Sequence, residues 1–138
     1  MGMKNIGFLF LLVGSLVFSG CEKYTTPKKL EKKITVGTWR IAKSSVNGQN
    51  ITSQYNGYLF KFDKNGGIAV SGAVTTSGSW YSGEDKNPVT LYLSFPVTVP
   101  QLYMYSDDWT VTILNNSECY LERKDKEEDV LIFRKVGK

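Results

Sequence analysis

Two acidic pairs, two cysteines and one glycine doublet are among the residues through which this chain of 138 could do chemistry. Asp107-Asp108 and Glu84-Asp85 are adjacent carboxylates, the kind of pair that does acid–base work or holds calcium. Both fall in turns of the pattern described below, where solvated acids are the ordinary occupants. Histidine is absent. Without imidazole the chain cannot assemble a Ser-His-Asp or Cys-His nucleophile, nor an imidazole-based zinc site. Cys21 and Cys119 are too few for a four-thiolate site. Gly66-Gly67 has a strand-like run on each side. A phosphate cradle needs its glycines between a strand and a helix. The expectation is a protein that is not an enzyme, with no catalytic residues, metal or cofactor.

Cys21 has a different chemistry. Lys4 precedes an almost wholly apolar run, Ile6 to Phe18, which ends in the small residues Ser19-Gly20. That order describes a secretory signal. The run falls short of the roughly 20 apolar residues of a membrane span. Phe18-Ser19-Gly20-Cys21 resembles a bacterial lipobox. The resemblance implies that residues 1–20 are a lipoprotein signal peptide and that Cys21 carries acyl chains such as palmitate. It implies a membrane-anchored protein of the bacterial cell envelope, periplasmic or surface-exposed. Each buried methylene of the anchor would contribute about 0.8 kcal/mol. Cys119 then has no disulfide partner, and in a strand-like run it reads as a small buried hydrophobe.

Charge divides the remainder. Residues 22–33 hold five lysines against two glutamates, whereas residues 34–138 hold eleven basic and eleven acidic side chains. Residues 21–35 therefore read as a lipidated, basic, flexible tether, and 36–138 as the folded domain. A balanced body gives no reason to expect a nucleic-acid partner. The arm reads as a solvated spacer or, more sharply, as a contact for anionic headgroups.

No stretch of the body repeats its apolar residues every 3.6 positions. Alternation of period two recurs between turn residues instead. The expected strands are 38–46, 58–63, 68–75, 77–82, 89–95, 108–114, 119–124 and 129–135. In the second, Tyr58, Phe60 and Phe62 share one face. Lys64-Asn65-Gly66-Gly67 is a tight-hairpin signal. Eight short strands in a meander close most simply by pairing the last with the first, which removes both edges. The fold class is all-β, a small up-and-down antiparallel barrel.

Gly37-Thr38-Trp39, at the head of the first strand, resembles the Gly-x-Trp motif of lipocalins. Arg134 resembles the late basic residue that packs across that tryptophan. The run from Tyr58 to Gly66, Gly78-Ser79-Trp80 and Trp109-Thr110-Val111 also look like segments of lipocalin-like domains in small bacterial lipoproteins. Together these cover roughly residues 36–136. The resemblance implies a lipocalin-like barrel with Gly37, Trp39 and Arg134 as a structural plug. Arg123 is the second candidate to pack on Trp39. A guanidinium over the indole would add about 0.5–2 kcal/mol.

In such a meander alternate connections share an end. The two longest, 47–57 and 96–107, are expected together at the end away from Cys21. Long loops on a rigid barrel are where binding function is concentrated. Tyr55, Tyr58, Tyr103 and Tyr105, with Trp80, are accordingly the candidates for ligand or partner binding. The opposing reading is that these side chains fill the barrel mouth. Two functions follow. One is binding of a small apolar or amphipathic molecule. The other is a protein-interaction module, such as an inhibitor or an accessory subunit of an envelope complex, with a packed barrel. A filled interior favours the second.

Overall fold

Alternating apolar side chains put one face of each strand against a common axis, and the sheet closes around it. The computed structural model describes residues 25–83, 88–123 and 126–137. Its strands are β1 (Trp39–Val46), β2 (Gln49–Asn50), β3 (Tyr58–Phe62), β4 (Gly67–Gly72), β5 (Thr76–Ser82), β6 (Thr90–Ser94), β7 (Asp107–Leu114), β8 (Glu118–Arg123) and β9 (Lys126–Lys135). Apart from β2, a short spur hairpinned onto the end of β1, neighbours in sequence pair antiparallel. β1 also pairs with β9, from Trp39↔Lys135 to Ser45↔Val130, and this closes an eight-stranded barrel. The expected meander and fold class are those observed.

The period-two pattern translates directly into burial. In β3, Tyr58, Phe60 and Phe62 are buried while Lys61 is exposed. β4 contributes Ile68 and Val70, β6 Leu91 and Leu93, β7 Trp109 and Val111, and β9 Leu131 and Phe133. The rings of Phe60, Phe62 and Phe133 meet edge to face at 5.2 and 5.6 Å, the geometry their quadrupoles favour. One continuous cluster of buried side chains fills the barrel. At the β3–β4 turn the Asn65 side chain accepts the Gly67 N–H at 3.2 Å. Gly66 there takes φ +97°, as the Asn-Gly signal requires.

The tether expected over residues 21–35 is corrected. Residues Pro27–Ile34 form a helix, α1, so the folded body begins before residue 36. Thr26 caps it, its hydroxyl accepting the Lys29 N–H at 3.1 Å, and Pro27 occupies the first turn, where no N–H is missed. Leu30 and Ile34, four apart and so on one face, are fully buried. Lys32 and Lys33 lie in the last turn, where the helix dipole favours cations. The Trp39 indole N–H donates to the Ile34 carbonyl at 2.9 Å, satisfying one of the helix's orphan acceptors. Thus α1 closes the end of the barrel at which β1 starts. Residues 1–24, including Cys21 and the expected signal segment, lie outside the described residues, as do Glu84 and Asp85.

Two further elements sit inside the long connections: a 3-10 turn (Thr52–Tyr55) and a short helix, α2 (Pro100–Tyr103). Both follow loops that alternation could not describe. Pro100 starts α2 at its first position.

Candidate functional site

The two long connections do meet at the end away from α1. The Tyr55 hydroxyl donates to the Gln101 carbonyl at 2.7 Å, and Gln101 Nε2 donates to the Tyr58 hydroxyl at 3.1 Å. The Tyr55 ring stands 5.3 Å from Tyr58 and 5.4 Å from Tyr105. Tyr105 and Ser44 hydroxyls bond to each other. The mouth residues are therefore neighbours, as the meander predicts.

Their exposure differs from the expectation of an open site. Tyr55, Tyr58 and Tyr105 are buried and form the top of the core. Burial raises the phenol pKa of Tyr55 and, more strongly, of Tyr105, because an anion there would lose its water. These three side chains fill the mouth. Tyr103 alone of the four is exposed, at 48%. Trp80 is buried at the α1 end, far from the mouth, with its indole N–H donating to the Asp63 carbonyl at 2.9 Å across the β3–β4 turn. The five candidates thus divide into three plug residues, one structural tryptophan and one displayed tyrosine.

The loop that displays Tyr103 is held from below. Besides Tyr55 and Gln101, Ser106 Oγ accepts the Phe95 N–H at 2.8 Å, and Tyr103 N–H bonds to the Val99 carbonyl at 2.8 Å. Val97, on the same loop, is 67% exposed. Two apolar side chains are therefore presented to solvent on a pinned segment.

Trp39 is fully buried, and the cation over its ring is neither of those expected. Lys135 Nζ lies 4.9 Å from the ring centroid. Gly37, at φ +84°, lets the chain turn beneath the Lys135 stem, which would lie 3.3 Å from a Cβ there. Arg134 faces the other way and pairs with Glu118 at 2.7 Å. The reason is the pleat. Trp39 is registered with Lys135, so the next residue back, Arg134, projects from the opposite face.

Arg123 serves another tryptophan by the same rule. It is registered with Trp109, and its guanidinium carbon lies 4.4 Å from that ring. It also bonds Asp129 at 3.0 Å, Asp107 at 3.1 Å and the Met104 carbonyl at 3.2 Å. Asp129 in turn accepts the Asn47 N–H at 2.7 Å. This network, buried at Arg123 and Asp129 and open to solvent at Asp107, ties β8 and β9 to both long loops. The sequence signal for it, an arginine directly opposite a tryptophan, becomes readable only once register is known. Asp107 spends its carboxylate on Arg123 and on the Asp108 N–H, at 2.8 Å. Cys119 is fully buried, and burial pushes its thiol up to about 12.

No protein-family model matches the sequence, and no curated protein matches it. A crystal structure of a lipocalin-like protein from Bacteroides uniformis superposes with a TM-score of 0.50 at 17% identity. The superposition spans 73% of this chain and 97% of that one. The fold is lipocalin-like. At that identity the likeness speaks for the barrel and its order of strands alone. Within the lipocalin-like frame, the Gly37-Thr38-Trp39 entry opens β1, as the motif implies, while the mouth is plugged by aromatic side chains.

Proposed function

We propose that this chain is a lipid-anchored, non-catalytic interaction module of the bacterial envelope. Its lipocalin-like barrel acts as a rigid stalk rather than a container. One observation carries the reading: the barrel is filled to its mouth by Tyr55, Tyr58 and Tyr105. A filled interior leaves recognition to the outer surface. Val97 and Tyr103 are the exposed apolar side chains of the pinned mouth loop. A tyrosine on a rigid loop gives contact area at low entropic cost, which is why tyrosine is frequent at binding hot spots. The partner that fits is another envelope protein. Acyl chains on Cys21 would hold the barrel at the membrane with this loop pointing away.

Site-specific photocrosslinking in cells tests the surface. A photoreactive residue at position 103 should give a discrete protein adduct that the same probe at the exposed wall position Lys61 does not give. Native mass spectrometry runs beside it. A small molecule retained stoichiometrically by the purified protein, with no adduct from position 103, would overturn the proposal in favour of ligand binding. Fatty-acid analogue labelling tests the anchor, which requires that Cys21→Ser abolish incorporation.

A further inference from the structure

We infer that the α1 end of the barrel is itself a membrane-docking face, built to lie on an anionic lipid surface. The inference rests on the lipid-anchored reading for its orientation but on the described residues for its chemistry. Because Leu30 and Ile34 are committed to the core, α1 must turn its remaining positions outward. The charged ones among them are Lys28, Lys29, Lys32 and Lys33, against one acid, Glu31. Lys64, on the adjacent β3–β4 turn, lines one hollow with Lys28, Lys32 and Glu31, three cations to one acid. Lys135 stands close enough to Lys33 for repulsion to add to burial in lowering its pKa. The salt bridges of the described residues involve Arg123 and Arg134, none of these lysines.

The face is amphipathic as well as basic. Val36 lies with the lysines in that hollow, and Val136 is exposed beside the same strand ends, its N–H bonded to the Thr38 carbonyl at 2.8 Å. On the other flank of α1, Lys29 and Lys33 border a groove of about 270 Å³ with Thr25, Asn115 and Asn116 over an apolar floor of Val111 and Leu114. Lys33 Nζ donates to Asn116 Oδ1 at 2.8 Å. Lysine ammonium groups on the same face as the exposed Val36 and Val136 suit the boundary between anionic headgroups and acyl chains.

Chain length supplies the orientation. Thr25, which lines that groove, is four residues after Cys21. Four residues reach at most about 14 Å when fully extended. An acylated Cys21 would therefore keep Thr25, where the α1 end begins, within about 14 Å of the headgroups, under two Debye lengths of about 8–10 Å. Lipid and lysines then act as the paired signals that stable anchoring needs.

The test uses residues 21–138 carrying Cys21→Ser, which keep every described strand and lack any anchor. Vesicles of phosphatidylcholine alone are compared with vesicles containing phosphatidylglycerol. Binding is expected on the anionic vesicles only, and to be lost at high salt. Each outward lysine near the surface is worth about fivefold in partitioning, so Lys28→Gln/Lys32→Gln should lower it about twenty-fivefold. The wall pair Lys43→Gln/Lys61→Gln removes the same charge elsewhere and should change it less than about twofold. Equal binding to both vesicle types, or equal losses from both pairs, would overturn the inference. Because the variant carries no acyl chain, the vesicle result is independent of whether Cys21 is modified in cells. Acyl labelling in turn is independent of the lysines.

Discussion

Removing one oxygen atom by Tyr105→Phe separates a packed plug from a recognition surface. The ring would keep its contacts with Tyr55 at 5.4 Å and Trp109 at 6.1 Å. What is lost is the hydroxyl bonded to Ser44, whose side chain is fully buried. A buried polar group deprived of its partner costs about 1–3 kcal/mol. Ser44→Ala removes the other member, but the Tyr105 hydroxyl keeps Tyr55 as a neighbour, so the cost should be nearer 1 kcal/mol. Ser44→Ala/Tyr105→Phe strands neither group. It should cost no more than Tyr105→Phe alone, a coupling of roughly 1 kcal/mol. Urea titration followed by tryptophan fluorescence is the assay, with Trp109 beside the lesion. At a slope of about 1–3 kcal/mol/M, a loss of 2 kcal/mol moves the midpoint by about 1 M. A Tyr105→Phe midpoint indistinguishable from wild type would mean a solvated hydroxyl and an open mouth, and the plug argument would fail.

Trp39→Ala should cost about 3–5 kcal/mol in the same titration, since a fully buried indole and its bond to Ile34 are lost. Arg134→Ala, which breaks a half-exposed pair with Glu118, should cost under about 1 kcal/mol, and a reversed order would contradict the assignment of the plug. Stability should fall in alkali. Cys119 is raised by burial from 9.0 to about 12, so its contribution is intact below pH 9 and lost as pH climbs towards 12. Tyr55 and Tyr105, raised the same way, add losses above the ordinary phenol range, each up to about 1.4 kcal/mol per pH unit. Denaturation midpoints across that range check this, and a maleimide should label Cys119 only after unfolding. Gly78→Ala should destabilise by about 1–3 kcal/mol, because a Cβ there would sit 2.5 Å from the Ser94 carbonyl and 2.7 Å from the Phe95 ring. A melting temperature unchanged by that substitution would count against the close approach of β5 and β6.

Strand identity was legible wherever alternation had several turns to assert itself. β3 and β6 are the clearest cases, and Asn65-Gly66 marks its hairpin unambiguously. Closure followed from the count of strands, and the meeting of the two long loops followed from closure. The helix α1 was hidden because four lysines outweigh two apolar residues in any average. Its real signals were the Thr26-Pro27 start and the four-residue spacing of Leu30 and Ile34. The cation over Trp39 was missed by one position. In a strand one position is the whole difference between inside and outside, and register is a property of two strands rather than of either sequence. Exposure at the mouth was illegible for another reason: a tyrosine can cap a core or greet a partner with the same side chain. Only the positions of Ser44 and Gln101 decide between those roles for Tyr105 and Tyr55.

The pairing of β1 with β9 also sets an order of events in folding. β1 shares with β3 a single registered pair, Trp39↔Phe60, while its long ladder is with the last strand. Neighbouring hairpins from β3 onward can form as soon as both arms exist. The first strand must wait for the last, and closing a loop that spans nearly the whole domain is a late, entropically opposed step. A chain emerging amino end first therefore stays an open sheet with two edges until β9 arrives. Deleting β9 would leave β1 and β8 as two permanent raw edges, each a template for another chain.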